Sequence, residues 1–151
     1  MGKRYAEGTT VQVQTSRGEI TGILAKHGCQ TMAWGSKPTG DTLMFDLDGK
    51  QFRFFIPKPE LEKVKSDYWE DHAWSGRQID WTDKVEAEWR RRWRAHVLLI
   101  KAKLEFIEGG DTTLEREFLP YLVLQDGRTM GQFIDQGGVP LLMSGSSDGS
   151  A

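Results

Sequence analysis

The densest binding chemistry in this sequence is EWRRRWRAH, Glu88 to His96. Four arginines and two tryptophans fill the six positions Trp89–Arg94. Guanidinium groups grip phosphates with paired N–H donors, and aromatic rings stack on unpaired bases. The same mixture also arises where long cationic stems cover the apolar surface of a helix. Helical geometry separates these readings. At about 100° per residue, Arg90, Arg94 and Lys101 fall within about 40° of one another. They line one edge of an apolar stripe, Arg92 and Lys103 line the other, and Arg91 stands apart. Trp89 and Trp93 lie in the stripe itself and are expected in the core. What remains for phosphate contact is a margin: Arg90, Arg94 and Lys101.

A second constellation belongs to a strand. Met44, Arg53 and Phe55 share a face of the hairpin DTLMFDLDGKQFRFFIP, with Trp34 close by. An aromatic ring beside an arginine on a strand suits base stacking plus phosphate contact. The other expectation for this face is cover by the tryptophans of residues 58–84. Hydrolytic and metal chemistry finds less support. The three histidines, His27, His72 and His96, fall on separate elements. Asp71, His72, Asp80 and Asp83 offer metal ligands in one loop, without the spacing of an established motif. No P-loop, HExxH, GxSxG or GxGxxG occurs. Neither a metal nor a cofactor is expected, and the protein reads as a non-enzyme. Cys29 is the only cysteine, so no intramolecular disulfide forms; it reads as a small buried residue following a helix.

These residues need elements to hold them. Thr10–Gln14 alternates, with Val11 and Val13 on one side, and predicts a strand. Ser16 and Glu19 have the spacing of a capping box, opening a helix with Ile20, Ile23, Leu24 and His27 on one face and Gly28 as its stop. Gln30–Trp34 reads as a strand, ended by a loop, GSKPTG. Asp48-Gly49 is a two-residue type I′ turn that pairs Leu47 with Lys50, Phe45 with Phe52, and Leu43 with Phe54. Residues 58–84 contain Tyr68, Trp69, Trp74 and Trp81 and read as an ordered excursion with a short helical turn. Thr82 caps a long helix from about Asp83 to Ile107, whose stripe is Val85, Trp89, Trp93, Val97, Ile100, Leu104 and Ile107. Ala95, Leu98, Leu99, Ala102 and Phe106 give that helix a second apolar face, to be covered by its own chain or by another subunit. Gly109-Gly110 ends it. Thr112 or Thr113 caps a short helix, and YLVLQDGRTMGQFI reads as a strand, a turn at Asp126-Gly127 and a helix from Thr129.

The expected fold is therefore α+β: an antiparallel sheet in the order helix, three strands, long helix, with a C-terminal strand-helix appendage. Residues 1–140 form one domain and 141–151 a flexible tail. With 151 residues, 38% of them hydrophobic, the chain can bury one core. No apolar run approaches the roughly 18 residues needed to span a bilayer, and no signal peptide is visible, so a cytoplasmic location without membrane contact is expected. The net charge of −2 hides a basic block, with six Lys/Arg and no Asp/Glu over residues 89–104. An acidic chain with one such block is not a general polyanion binder, but it presents a local positive surface.

The helix–three strands–long helix order resembles the double-stranded-RNA-binding domain, although EAEWRRRWRAH departs from that family's lysine-rich second helix. It also resembles the core of phage single-strand annealing proteins, in which β-β-β-α units assemble side by side. The segments RYAEGTTVQV, TSRGEI, RWRAHVLLIKAKLE and FLPYLVLQDGRTMGQFI resemble a group of small bacteriophage and mobile-element proteins, to about residue 140. That likeness implies a setting and no activity. Together the readings predict a homo-oligomer that binds single-stranded DNA. Arg53, Arg90, Arg94 and Lys101 are expected on phosphates. Phe55, Trp69 and Trp74 are expected on bases, and Ala95, Leu98, Ala102 and Phe106 between subunits. Four phosphate contacts predict a log–log salt slope of about −3. The alternative is an inhibitor or adaptor that binds a host protein. The strongly acidic flanks of the basic block favour it, and exposed aromatics would anchor it.

Overall fold

The computed structural model describes residues 2–137; the tail expected over 141–151 lies outside them. Strands β1 (Thr31–Lys37), β2 (Gly40–Leu47) and β3 (Lys50–Pro57) form one antiparallel sheet in the order β1-β2-β3. The β2–β3 turn is the Asp48-Gly49 pair, both with left-handed φ, 52° and 73°. Two such residues give a type I′ turn the right twist for a hairpin. The expected register holds: Leu47 faces Lys50, Phe45 faces Phe52, and Leu43 faces Phe54. It carries Leu43, Phe45, Phe52, Phe54 and Ile56 to one face, where each is about 1% exposed or less. A strand's period of two then commits Thr42, Met44, Arg53 and Phe55 to the other face.

Helix α1 (Val13–Lys26) and the long helix α3 (Trp81–Glu108) lie side by side over the inner face. They run in the same direction, since Thr9, Ser16 and His27 meet Arg90, Arg94 and Glu108 in turn. Ile20 and Leu24 from α1 join Trp93, Val97, Ile100 and Leu104 from α3 in the core. At roughly 1.5–3 kcal/mol per large buried side chain, this stripe holds the helical layer on the sheet. Asp80 caps α3 by accepting from the Asp83 backbone N–H at 3.2 Å, two residues ahead of the expected Thr82 cap. Residues 58–84 contain more helix than the single turn expected: α2 (Leu61–Asp71) packs on α3. Tyr68 lies face to face with His72 and edge-on to Trp81, forming a small aromatic cluster between α2 and α3.

The N-terminal expectations need correction. Thr10–Gln14 is not a strand; α1 begins at Val13 after Gln12, which supplies no side-chain cap. Ser16 and Glu19 therefore sit inside α1 and form no capping box. Ser16 is buried and accepts from Arg94, and Glu19 pairs with the same arginine at 2.9 Å. An interhelical arginine thus claims both residues. The predicted ends of α1 and α3 stand: Gly28 (φ 92°) follows α1, and Gly109-Gly110 follows α3.

After α3, Thr113 caps α4 (Leu114–Phe118), which delivers Phe118 into the core, and a 3₁₀ turn (Leu119–Tyr121) follows. The strand expected beyond Pro120 is reduced to two isolated bridges, Phe52–Leu122 and Val123–Thr129. Val123 donates to the Gln51 carbonyl, so the appendage covers the β3 edge. Helix α5 (Met130–Asp135) starts from a complete capping box between Thr129 and Gln132.

Candidate nucleic-acid interface

The basic stretch is engaged almost entirely within the chain. Glu88, half-buried, gathers three guanidinium groups: Arg4 at 3.1 Å, Arg91 at 2.9 Å and Arg92 at 3.4 Å. Burial alone would raise the Glu88 carboxyl pKa, but the Arg91 hydrogen bond and the charges of Arg91, Arg4 and Arg92 outweigh it and hold it below the ordinary carboxylate range. Arg92 also donates to the Pro57 carbonyl, and Arg90 donates its Nε–H to the Thr9 carbonyl. Arg94 ties α3 to Ser16 and Glu19 of α1. Of the expected margin, Lys101 alone is exposed without an ion-pair partner among the described residues. Trp93 is fully buried and Trp89 half-buried against it, as their spacing predicts.

The outer face of the sheet is where exposed chemistry collects. It carries cross-strand rows: Ala33–Met44–Arg53, Gly35–Thr42–Phe55 and Lys37–Gly40–Pro57. No helix of the described residues covers these rows; Phe55 is 50% and Met44 36% exposed. They line a shallow groove of about 660 Å³ that ends against Gln132 of α5. Small neighbours set the pose of Phe55. Gly35 has open space where a side chain would stand, and the Phe55 ring leans over Gly40. A Cβ on Gly40 would come within 2.7 Å of that ring and 2.4 Å of the Ile56 carbonyl oxygen, so this position requires glycine. Arg53 is fixed at the far end of the groove. One terminal nitrogen, Nη2, donates to the Gly127 carbonyl and to Gln132 Oε1, each at 2.9 Å. The ring of Phe55 is thus a presented flat surface, with Arg53 and Lys37 flanking it.

The structure brings together only part of the expected site. Arg53 and Phe55 share the groove. Trp69, on α2, packs 6.0 Å from Trp81 of α3, and Trp74, 80% exposed, lies in the connection before α3; neither lines the groove. Lys101 projects from the helical layer and does not line it either. Trp34 borders the groove, but its ring packs on the inner side of the sheet, its strand position paired with Leu43 and its ring 5.4 Å from Trp93. Lys37 was missed by the sequence reading. Extending the period of two from the hairpin into β1 would have put it on the groove face.

The second apolar face of α3 divides. Leu99 packs on the core, while Leu98 (44%) and Phe106 (56%) are exposed, with Ala95 and Ala102 half-buried between them. The acidic loop does not form a metal cluster: among the described residues no three His, Cys, Asp or Glu side chains could hold one ion. His72 bonds the Tyr68 carbonyl, and Asp80 serves as the α3 cap. Cys29 is buried, its thiol donating to the Thr31 carbonyl and its pKa raised by burial. His27 turns instead to Ile23 and Glu108, so no Cys–His pair forms. No helix of the described residues is long and apolar enough to cross a membrane. In comparisons with protein-family models, curated proteins and solved structures, nothing matches this chain.

Proposed function

We propose that this protein is a non-enzymatic, self-associating binder of single-stranded DNA, acting in the cytoplasm in phage or mobile-element recombination. The observation that carries the reading is the sheet face that no described helix covers, with Phe55 half-exposed between Arg53 and Lys37. An aromatic platform beside cations takes unpaired bases of any sequence, because every base offers a π-face. Duplex DNA fits the groove poorly, since its bases are already stacked. Self-association would use Ala95, Leu98, Ala102 and Phe106, where Leu98 and Phe106 leave apolar area in water. The phosphate contacts are fewer than the sequence implies. With Arg94 paired to Glu19 and Arg90 outside the groove, the groove itself offers two cations, and the salt slope attributable to it is about −1.4 rather than −3.

Light scattering with and without a labelled single-stranded oligonucleotide tests both parts. The reading expects a mass above one chain and a complex that weakens with salt. A monomer that leaves the oligonucleotide free at low salt would contradict it. The second reading, a partner protein docking on the same chain, is favoured by one observation: Trp74 is 80% exposed within the acidic residues 59–88. Capture of a host protein by a chain that ignores the oligonucleotide would favour that reading.

A further inference from the structure

A second depression lies on the other side of the β1–β2 turn. It has a volume of about 540 Å³, and Ser36 lines both it and the sheet groove. Its walls bring together three cations from separate elements: Arg17 of α1, Arg90 of α3 and Lys58 after β3. Arg17 is held rigidly. Its guanidinium sits 5.1 Å from the Trp34 ring and 5.3 Å from the Trp93 ring, and Nη2 donates to the buried Asp41 carboxylate at 3.1 Å. Ser36 donates to the other Asp41 oxygen, so both carboxylate oxygens are engaged and Arg17 balances the charge. The Arg17 Nε–H has no partner among the described residues but is buried out of reach of the cleft, so Arg17 contributes charge and not a contact. Lys58 has no ion pair there, only the Trp89 ring at 5.9 Å, and Arg90 uses Nε alone, on a backbone carbonyl. Two acidic groups line the cleft with Lys58 and Arg90: Asp41, paired with Arg17, and the exposed Glu86.

Cationic donors left over after internal pairing are suited to an external anion. We infer that this cleft is a phosphodiester subsite, taking a backbone phosphate of a single strand whose bases lie on the Phe55 face. The strand passes over the end of β1 at Ser36 and Lys37, Ser36 being common to both depressions. The inference rests on the single-strand reading above and adds a location for its phosphate contacts. The uncapped first turn of α1 at Val13 and Gln14 lies on the same wall and adds to the positive field.

The experiment is a salt series of oligonucleotide titrations on Lys58→Gln, on Lys58→Gln with Arg90→Gln, and on Lys101→Gln as a cation outside the cleft. Lys58 is exposed, so its single variant keeps the fold even if the double variant does not. Loss of one phosphate contact should flatten the slope by about 0.7, and loss of two by about 1.4, with affinity at low salt falling several-fold to ten-fold or more. Lys101→Gln should leave the slope unchanged. If the wild type binds and Phe55→Ala weakens it, but the Lys58 and Arg90 variants keep the wild-type slope, the subsite is overturned and the sheet-face reading stands. If no oligonucleotide binds, the sheet-face reading fails, and inorganic phosphate decides the cleft. A saturable change in tryptophan fluorescence that is absent in the Lys58 variant supports it; no change in the wild type overturns it.

Discussion

Trp93→Ala is expected to destabilise the fold by about 3–5 kcal/mol, the upper range for large-to-small core changes. Trp93 is fully buried where both main helices meet the sheet. Its ring packs with Trp34 at 5.4 Å and Trp89 at 5.9 Å between centroids, and the Arg17 guanidinium lies 5.3 Å from its centroid. Truncation leaves a cavity and also strips a partner from a cation. For a domain of this size the midpoint of thermal unfolding should fall by on the order of 10 °C. Trp93→Phe should cost much less than half as much. It keeps an aromatic face, and it removes an indole N–H that is buried without a partner among the described residues. An orphaned donor of that kind costs about 1–3 kcal/mol, so its removal offsets part of the lost packing. Urea melts of the three proteins test this. Equal losses for alanine and phenylalanine would mean that the indole N–H is satisfied and that the account of this corner is wrong.

Asp41→Ala is expected to cost about 2–4 kcal/mol. The Asp41 side chain is 4% exposed and holds Arg17 at 3.1 Å as well as the Ser36 hydroxyl. Removing one partner of a buried pair typically costs about 3–5 kcal/mol, because the other charge is left without compensation. Arg17 is 35% exposed and can recover some hydration, which places this pair toward the lower part of that range. The double change Asp41→Leu with Arg17→Met should be more stable than Asp41→Ala alone, since neither charge then remains unpaired. Denaturation of both variants decides it. A double variant less stable than the single one would mean that the cation–π contacts of Arg17 with Trp34 and Trp93, rather than the ion pair, hold these elements together.

Much of the fold was legible because its signals are local. Asp48-Gly49 set a hairpin register that assigned every side chain from Asp41 to Pro57 to a face. The three-and-four spacing of apolar residues in α3 put Trp93, Val97, Ile100 and Leu104 into the core. Ser16 and Glu19 misled because their spacing is a local cue overruled by a distant one. Arg94, 78 residues from Ser16, draws both residues onto the α1–α3 contact. The same holds for the cationic stretch. The helical wheel separated Arg90, Arg94 and Lys101 from the other cations correctly. It carried no information on Thr9, 81 residues from Arg90, or on Arg4, 84 residues from Glu88. The Arg17 cleft was invisible for a related reason. Arg17, Ser36, Asp41, Lys58 and Arg90 come from five separate stretches of chain, and no spacing joins them.

Residues Trp89 to Arg94 thus build the platform's support rather than the platform. Their tryptophans back the sheet, and their arginines tie α3 to α1, to the N-terminal residues and to the end of β3. The face they hold up carries Phe55. The most direct measurement is fluorescence anisotropy of a labelled single-stranded oligonucleotide titrated with the wild type and with Phe55→Ala at one low salt concentration. Base–aromatic stacking contributes about 1–3 kcal/mol per base, so the substitution should weaken binding by roughly ten-fold or more. Because Phe55 is half-exposed, its unfolding midpoint should stay close to that of the wild type. A Phe55→Ala protein that stays folded and binds the oligonucleotide as tightly as the wild type would contradict the account.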